Sequence, residues 1–526
     1  MKKIRSLVKR SSILMIIAFF FCSSVIAQER VITGTVTEGA EGLPLIGGTI
    51  VIKGTTSGTI TGTDGTYQIT VRGSEDILVF QFIGLTTQEV PVGDRTVIDI
   101  NLEVETTALD ELVVIGYGTQ KKSDLTGSVA VISADDLIKT NAATLDRALQ
   151  GKAAGVLVTN TSGMPGAGVS IKIRGIGSIN RDSEPLYVID GVPAGNLSTL
   201  NPADIASIQI LKDASATAIY GARGSNGVII IETKRGVSGP PKINFSAYAG
   251  VAKVTRLFDV MNTDEYIGLL EEAYALDPDR DMPFYYNDSV RASNGNVYTD
   301  WQEEMFRPAW NQNYNLSVYG GGENSSYAIS GNYYQEDGVR IESQFERINL
   351  RANSDFKIGK RLKIGESLTI SQTSSNNNGG SWGGAITASP LMPIYDSTAI
   401  GGYAGPTDTI TVNNTRTNPI AGMMLKDVHN TLTRILVSMY AELELFKGFT
   451  YKFTMGLDYK YRRGFNWAPE YELGNIGLRS NVESTLTQST NDSRYMLIQN
   501  IVNYVNSFNG HNIRVMAGHT TERSKT

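Results

Sequence analysis

Apolar and polar side chains alternate with a period of two along most of the chain after Lys242. The odd positions from Ile435 to Leu445 are all apolar, whereas the even positions from Ser438 to Glu444 are polar. Three further segments show the same alternation: 314–318, 347–353 and 449–461. A period of two predicts strands with one apolar face, and about ten residues are enough for a tilted strand to cross a bilayer. This part of the chain is therefore predicted to form a large antiparallel sheet.

The connections between these predicted strands differ in length. One near Gly320–Asn324 is tight, whereas the segments 255–311 and 374–431 are long and polar. Aromatic residues crowd strand ends at Tyr333-Tyr334 and Tyr461, which suits the aromatic girdles of a membrane barrel. A soluble β-sandwich would also alternate, so the loop asymmetry and the aromatic strand ends are what favour a barrel.

One glutamate breaks the alternation. Glu366 has the same parity as Ile364, Leu368 and Ile370, and would share their apolar face. Two explanations stay open: a bulge at Gly365 shifts the register, or the predicted register of this strand is wrong.

The stretch from Pro185 to Gly236 has a different pattern. Leu186–Ile189 and Val228–Ile231 are continuous, mostly β-branched apolar runs, which predict strands buried on both faces. The residues between them predict, in order, a turn with a helix start at 201–204, a strand at 205–211 and a small helical turn at 214–220. By itself, this pattern predicts a small α/β subdomain with a glycine-rich loop.

Composition favours several β-rich domains, because the 526 residues include 54 glycines, and 24 tyrosines against 16 phenylalanines. From Val31 to about Glu105, short β-branched strands alternate with glycine turns, which predicts a small β-sandwich. Within it, Asp64-Gly65 predicts a hairpin turn, after which Tyr67, Ile69 and Val71 are expected to be buried.

The first 27 residues have the composition of a secretory signal. Five basic residues precede nine apolar ones, Ile13–Phe21, and cleavage is expected after Ala27. The apolar run is shorter than the about 20 residues of a membrane helix, and no later run approaches that length. Cys22 is the only cysteine, and the bulky Phe19–Phe21 before it argue against a lipid-modified cysteine. Removal of the signal would leave no thiol and would change the net charge from −6 to −11, so nothing predicts nucleic-acid binding.

A short β-branched run, Val113–Ile115, lies between an acidic start and the sequence Gly116-Tyr117-Gly118. It can be an extended segment on a linker that adds to a strand edge of a partner, the β-augmentation mode. It can equally be the first strand of the domain that follows. Its place just before Lys121, where the next domain is expected to begin, favours pairing with a partner.

Three sequence patterns that serve catalysis or ligand binding in other proteins also occur in this chain, but without the context that those functions need. His519 and Glu522 have the spacing of half a zinc site, without an evident third ligand or general base. Residues 379–383 match a serine-hydrolase elbow, but an asparagine-rich run precedes them, and we expect a loop rather than an amphipathic helix after them. Residues 163–168 form a glycine-rich turn without a phosphate-binding lysine. We therefore predict no catalytic residue, no metal and no cofactor.

Pro185–Gly236, together with Ile173-Arg174-Gly175, resembles the plug-domain signature of the SusC/RagA family of TonB-linked outer-membrane proteins. The resemblance implies a plug signature at nine positions: Arg174, Gly175, Asp190, Gly191, Lys212, Asp213, Tyr220, Gly221 and Gly227. The predicted sandwich resembles the carboxypeptidase regulatory-like domain that precedes the plug in many members. The run before the plug resembles the family's TonB box, which implies that TonB binds seven residues: Glu111, Leu112, Val113, Val114, Ile115, Gly116 and Tyr117.

The expected architecture is mainly β. Its order is a signal peptide at 1–27, a carboxypeptidase regulatory-like β-sandwich at 28–105, a linker with the TonB box at 106–120, an α/β plug domain at 121–236 and the first part of a transmembrane antiparallel β-barrel at 237–526. We count roughly nine or ten strands after the plug, against the about 22 of a plugged outer-membrane transporter. Because an open sheet edge in lipid leaves backbone groups unsatisfied, the chain is expected to be the N-terminal portion of a longer protein.

The resemblance implies an outer-membrane transporter and not an enzyme. TonB, energised by ExbB and ExbD, would drive the import of a glycan or peptide cargo, together with a SusD-like surface lipoprotein. The sandwich and the TonB box would lie in the periplasm, and outer-membrane lipid would surround the strands. Three tryptophans in long connections, Trp301, Trp310 and Trp382, could stack on sugar rings, although exposed aromatics are equally often structural. The alternatives are an outer-membrane receptor with an adhesion or signalling role, and a truncated fragment without function.

Overall fold

A computed structural model describes residues 30–39, 42–82, 85–103, 112–115, 118–121, 128–139, 142, 144–180, 182–276, 297–378, 382–407, 416–474, 479–508 and 511–525. The predicted signal peptide lies outside the described residues. The chain divides into two compact units, Met1–Glu111 and Leu112–Thr526.

The first unit is a β-sandwich of two small sheets, which confirms the prediction. Its strands are β1 (Arg30–Glu38), β2 (Leu43–Pro44), β3 (Thr49–Ile52), β4 (Gly58–Ile60), β5 (Thr66–Val71), β6 (Ile77–Gln81), β7 (Gln88–Pro91) and β8 (Ile100–Leu102). One sheet has the order β2-β1-β5 with β8 beside β1, and the other has the order β4-β3-β6-β7. Tyr67, Ile69 and Val71 are buried in the core between them, as expected. The turn at Asp64-Gly65 is present but joins β4 and β5, which belong to different sheets and do not form a hairpin.

The second unit begins with the segment predicted to be the plug. Its strands are β9 (Leu112–Ile115), β10 (Gly118–Lys121), β11 (Val129–Ser133), β12 (Val156–Asn160), β13 (Val169–Ile173), β14 (Leu186–Ile189), β15 (Val192–Ala194), β16 (Ile205–Leu211) and β17 (Val228–Thr233), and its helices are α1 (Ala134–Ile138), α2 (Leu145–Ala148) and α3 (Ala214–Thr217). A five-stranded sheet with the order β11-β16-β17-β14-β15 forms the centre. The two apolar runs, β14 and β17, are neighbours in it, pair in parallel and are largely buried. This confirms the predicted α/β subdomain.

A nine-stranded antiparallel sheet forms the rest of the second unit. The nine strands of the sheet are β18 (Gly239–Ala252), β19 (Ala309–Gly321), β20 (Ser325–Asp337), β21 (Ser343–Ile358), β22 (Leu362–Asn377), β23 (Asp427–Phe446), β24 (Phe449–Ala468), β27 (Thr485–Phe508) and β28 (His511–Lys525). The connections between them contain the helices α4 (Thr263–Ala275), α5 (Trp301–Met305), α6 (Trp382–Thr387) and α7 (Pro419–Met424) and the short strands β25 (Tyr471–Leu473) and β26 (Arg479–Asn481). Each strand of the large sheet pairs with the next one along the chain, while β25 and β26 form a separate pair. The tight connection at one end and the long connections at the other are therefore both present. The nine strands of the large sheet agree with the predicted nine or ten, and β25 and β26 are additional among the described residues.

The apolar face of this sheet is exposed and its polar face is buried. On β21, Arg347 and Arg351 are 1% and 5% exposed, whereas Ile348 and Leu350 are 50% and 57% exposed. A soluble protein buries its apolar face, but here the polar face is covered by the plug and the apolar face is bare. Such a sheet fits a setting in which lipid covers the apolar face.

Glu366 lies on the apolar face without a bulge. The register between β21 and β22 runs without a shift from Ser343↔Asn377 to Ile358↔Leu362, so neither explanation that the sequence left open applies. Its carboxylate accepts a hydrogen bond from the Ser354 hydroxyl at 3.0 Å. The polar neighbour on the next strand therefore accommodates the charge.

Short helices lie in the long connections. Contrary to our expectation of a loop, residues from Trp382 form the helix α6, while Ser381 and the two glycines before it lie outside the described residues. Within the described part of the chain, no helix has the length and apolar character to cross a membrane.

Candidate functional site

The β14–β15 hairpin presents a carboxylate to the polar face of the large sheet. Asp190 and Gly191 form its two-residue turn, and both have positive φ angles, 47° and 83°. A type I′ hairpin turn needs positive φ at both central positions, which is why Asp-Gly is among the preferred pairs there. The turn thereby projects the Asp190 side chain beyond the hairpin, towards β21 and β22.

Asp190 forms a buried ion pair with an arginine of the sheet. Arg351 Nη2 lies 2.6 Å from Asp190 Oδ2, and both side chains are 4% exposed. The Ser367 hydroxyl donates to the same oxygen at 2.7 Å, and Thr233 donates to it through its hydroxyl at 2.8 Å. Arg351 Nη1 in turn donates to the Thr369 hydroxyl at 2.8 Å. The pair is thus surrounded by hydrogen-bond partners from both the plug and the sheet, as a buried charge pair requires.

The charged form of Asp190 is favoured in the folded state. Burial by itself would raise the pKa of this carboxyl, but the guanidinium groups of Arg351 and Arg235 and the hydroxyls of Ser367 and Thr233 outweigh burial, and the pKa lies below its ordinary value. The plug is therefore attached to the sheet by an ionised pair and not by a neutral hydrogen bond.

A second arginine holds the loop that follows β15. Arg434 is 2% exposed on β23 and binds Asp458 of β24 through Nε and Nη2 at 2.8 and 2.9 Å. Its remaining nitrogen, Nη1, donates to the Asn196 carbonyl at 3.0 Å and to the Thr199 hydroxyl at 2.9 Å. From β21, Asn349 donates to the Thr199 carbonyl at 2.7 Å. Asp458 thus orients the buried arginine by a bidentate pair, and the remaining nitrogen of the arginine holds the plug on the sheet.

A third contact is closer to solvent. Arg223 of the plug binds both carboxylate oxygens of Glu522 on β28, at 2.5 and 2.7 Å. Glu522 faces the plug while His519 has the opposite parity on the same strand, so the two side chains of the zinc-like pattern lie on different faces of the sheet. No group of metal-binding side chains occurs among the described residues.

Three of the other plug-signature residues, Arg174, Lys212 and Asp213, lie near the end of β16. Arg174 Nη1 lies 2.5 Å from Asp213 Oδ1, and Asp213 also accepts a hydrogen bond from the backbone of Ser128. Lys212 donates to the Ala154 carbonyl at 3.0 Å. The glycine-rich turn at 163–168 joins β12 to β13 as a plain strand connection.

All but the first residue of the predicted TonB-binding segment lies at the start of the second unit. Leu112–Ile115 form β9, which pairs with β10 in a two-stranded sheet separate from the plug sheet. Glu111, Gly116 and Tyr117 lie outside the described residues. The alternative interpretation, that β9 is the first strand of the plug sheet, is therefore not what the structure has. TonB binding itself stays a prediction.

Two family matches lie within the first half of the chain. Residues 32–114 match the family described as CarboxypepD_reg-like domain, and residues 121–228 match the TonB-dependent Receptor Plug Domain. TonB-dependent receptor P3 of Formosa agariphila is 34% identical, over 97% of this chain and 50% of that protein. TonB-dependent receptor SusC of Bacteroides thetaiotaomicron is 37% identical, over 79% of this chain and 43% of that protein. The solved RagAB peptide importer in its open-open state superposes with a TM-score of 0.66 at 27% identity, over 78% of this chain and 48% of that one.

The chain belongs to the SusC/RagA type of TonB-dependent receptor. It spans about half the length of the curated relatives it matches. These receptors form a family of outer-membrane β-barrel transporters, not of enzymes.

The three tryptophans that could stack on sugars lie in different surroundings. Trp301 is buried and donates to the Ser389 carbonyl at 3.0 Å. Trp310 shares the bare apolar face of the large sheet with Tyr314. Trp382 remains partly exposed against Phe306, with ring centroids 5.0 Å apart.

Sequence reasoning missed the arginines that hold the receptor's plug. Arg351 was identified only as part of a polar face, and Arg434 was not singled out. A usable signal was present: arginines at inward positions of alternating strands, which a bilayer-facing sheet places in a lumen where each charge needs a partner.

Replacing Gly227 with alanine is expected to lower the free energy of unfolding of the receptor by more than about 2 kcal/mol, because strain and overcrowding add. Its φ is +92°, and a Cβ there would lie 2.7 Å from Ile173 Cδ1 and 3.2 Å from the Leu211 carbonyl oxygen. Gly175 has a φ of +103° but open space around a Cβ. Gly175→Ala is therefore the matched control, with strain alone. Urea titration of the receptor compares the two, and equal losses would contradict the packing role of Gly227.

Proposed function

We propose that the receptor imports glycans or peptides across the outer membrane by a TonB-driven displacement of its plug, together with a SusD-like surface lipoprotein. The observation that supports this best is the attachment of the plug: a hairpin and a loop held on the sheet by Arg351 and Arg434. The contacts that these two arginines make with the plug are an ion pair and hydrogen bonds. A force applied to the plug can therefore break them one after another.

In this proposal, TonB pulls on the chain at β9. TonB would pair with the residues from Glu111 to Tyr117 by β-augmentation, in which backbone hydrogen bonds supply the affinity. In the structure, β9 already pairs with β10, so TonB would replace β10 or add to the free edge of β9. ExbB and ExbD would supply the energy through TonB.

The proposed cargo and partner rest on similarity. The RagAB structure is that of a peptide importer, and the relative in Bacteroides thetaiotaomicron is named SusC. We extend peptide or glycan uptake, and a SusD-like lipoprotein at the loop side of the sheet, to this receptor as proposals. We also retain the proposed division into a signal peptide at 1–27, a sandwich at 28–105, a linker at 106–120, a plug at 121–236 and barrel strands at 237–526.

Deletion of residues 113–117 from the full-length receptor is expected to abolish uptake while cargo binding at the cell surface stays unchanged. The physical reason is that the deletion removes the strand through which TonB would pull, but none of the plug–sheet contacts. Uptake of a labelled cargo and its surface binding are measured on the same cells. Unchanged uptake would overturn the role of this segment and would favour an adhesion or signalling role.

A further inference from the structure

A row of lysines crosses the inner face of the sheet near its short turns. In the strand register, Lys357 is directly opposite Lys363, Lys363 is opposite Glu442, and Glu442 is opposite Lys452. Like charges directly opposite each other destabilise a sheet. The Lys357–Lys363 pair is therefore a cost that folding alone does not explain, and the single carboxylate of Glu442 is shared between Lys363 and Lys452.

The same lysines surround an aromatic ring together with an arginine of the plug. Lys452 Nζ lies 5.0 Å from the centroid of the Tyr440 ring, Lys363 Nζ lies 5.5 Å from it, and Arg235 Cζ also lies 5.5 Å from it. Arg235 has its own carboxylate, since its Nη1 lies 2.9 Å from Asp355 Oδ1. Among the described residues, neither lysine ammonium has a carboxylate oxygen within 4.0 Å.

Lys363, Lys452, Arg235 and Tyr440 line a cavity of about 840 Å³ between the plug and the sheet. Its size falls in the range of about 300–1,000 Å³ that is typical of ligand pockets. Two other carboxylates in its wall are already engaged: Asp190 with Arg351, and Glu232 with Ser207 and Gln209. The positive charge around Lys363 and Lys452 thus exceeds the negative charge of Glu442.

We propose that Lys363, Lys452 and Arg235 form an oxyanion-binding subsite in this cavity, for a carboxylate, sulfate or phosphate group. Lysine and arginine N–H groups form short charge-assisted hydrogen bonds with such groups. The subsite lies on the face that meets the plug, so the anion is a solute of the lumen and not a lipid headgroup. It is either a free inorganic anion or an acidic group of a cargo.

Equilibrium dialysis of the full-length receptor tests the subsite directly. The probes are radiolabelled inorganic sulfate, inorganic phosphate and tetragalacturonate. Replacing both lysines, K363Q/K452Q, should weaken binding by at least about tenfold, because charge-assisted hydrogen bonds are lost. The control K360Q/K447Q removes two exposed lysines from neighbouring turns and should change binding by less than about twofold. Preference for tetragalacturonate identifies a cargo group as the source of the anion, and preference for sulfate or phosphate identifies a free ion.

Absence of binding by all three probes, or equal weakening by the two double variants, would overturn the subsite. If the K363Q/K452Q receptor does not fold, the rate of lysine acetylation in the unaltered receptor is measured in place of probe binding by the variant. Saturating sulfate should then slow the modification of Lys363 and Lys452 at least about fivefold and leave Lys360 and Lys447 unaffected, while equal rates at all four would overturn the proposal. Neither measurement requires transport, so a negative result leaves the import proposal to its own uptake test.

Discussion

Replacing Arg351 with methionine is expected to lower the free energy that holds the plug on the sheet by about 3–5 kcal/mol. The substitution keeps most of the side-chain volume but leaves the Asp190 carboxylate buried without a counter-charge. Hydrogen–deuterium exchange of β14 and β17 in the full-length receptor, followed across a urea series, measures the loss. Exchange in these strands should reach its midpoint at markedly lower urea.

Two companion variants separate this effect from a general loss of charge. Arg494 pairs with Asp492 at 3.1 Å, but both side chains are about half exposed, so Arg494→Met should cost no more than about 1 kcal/mol. The double variant D190N/R351M removes both charges and should recover most of the stability. A loss in Arg351→Met no larger than that in Arg494→Met would contradict the assigned role of the pair.

The ion pair also predicts a dependence on pH. The pKa of Asp190 is depressed in the folded state, so its stabilisation is fully present above its unfolded pKa of about 3.9. It is lost as the pH falls through the lower folded pKa. The unaltered receptor should therefore lose stability below about pH 4 through this group, and the acid-dependent loss should be smaller in D190N/R351M.

The local elements of this receptor could largely be predicted from its sequence. Alternation identified five strands of the large sheet, β19 and β21 to β24, because a strand with one bare apolar face must repeat every two residues. The continuous apolar runs at β14 and β17 likewise identified strands buried on both faces. In each of these cases the pattern depends on the immediate environment of a single strand.

What could not be predicted depends on contacts between distant segments. The parallel pairing of β14 with β17 and the meeting of Asp190 with Arg351 join residues far apart along the chain, and their spacing leaves no trace in local periodicity. The turn at Asp64-Gly65 has ordinary turn residues, yet the chain uses it to change sheets. Glu366 was misjudged because a polar partner, Ser354, on the adjacent strand was not considered. Of the candidate site, Asp190 and Gly191 were identified only as plug-signature residues, through the resemblance, and the arginines Arg351 and Arg434 were not identified as part of the site.

In the proposed mechanism, the β14–β15 hairpin must leave the sheet for cargo to pass, and a disulfide between the hairpin and the sheet can prevent this. A Cβ on Gly456 of β24 lies 3.3 Å from the Val192 Cβ of β15, close to the about 3.5–4.5 Å of a disulfide. The chain has one other cysteine, Cys22, which lies in the predicted signal peptide.

The decisive measurement is cargo uptake by cells that carry the full-length V192C/G456C receptor, under oxidising and reducing conditions. With the disulfide formed, surface binding of cargo should persist and uptake should fall to background, and reduction should restore uptake. The single variants V192C and G456C should respond to neither condition. Undiminished uptake by fully cross-linked receptor would contradict the account.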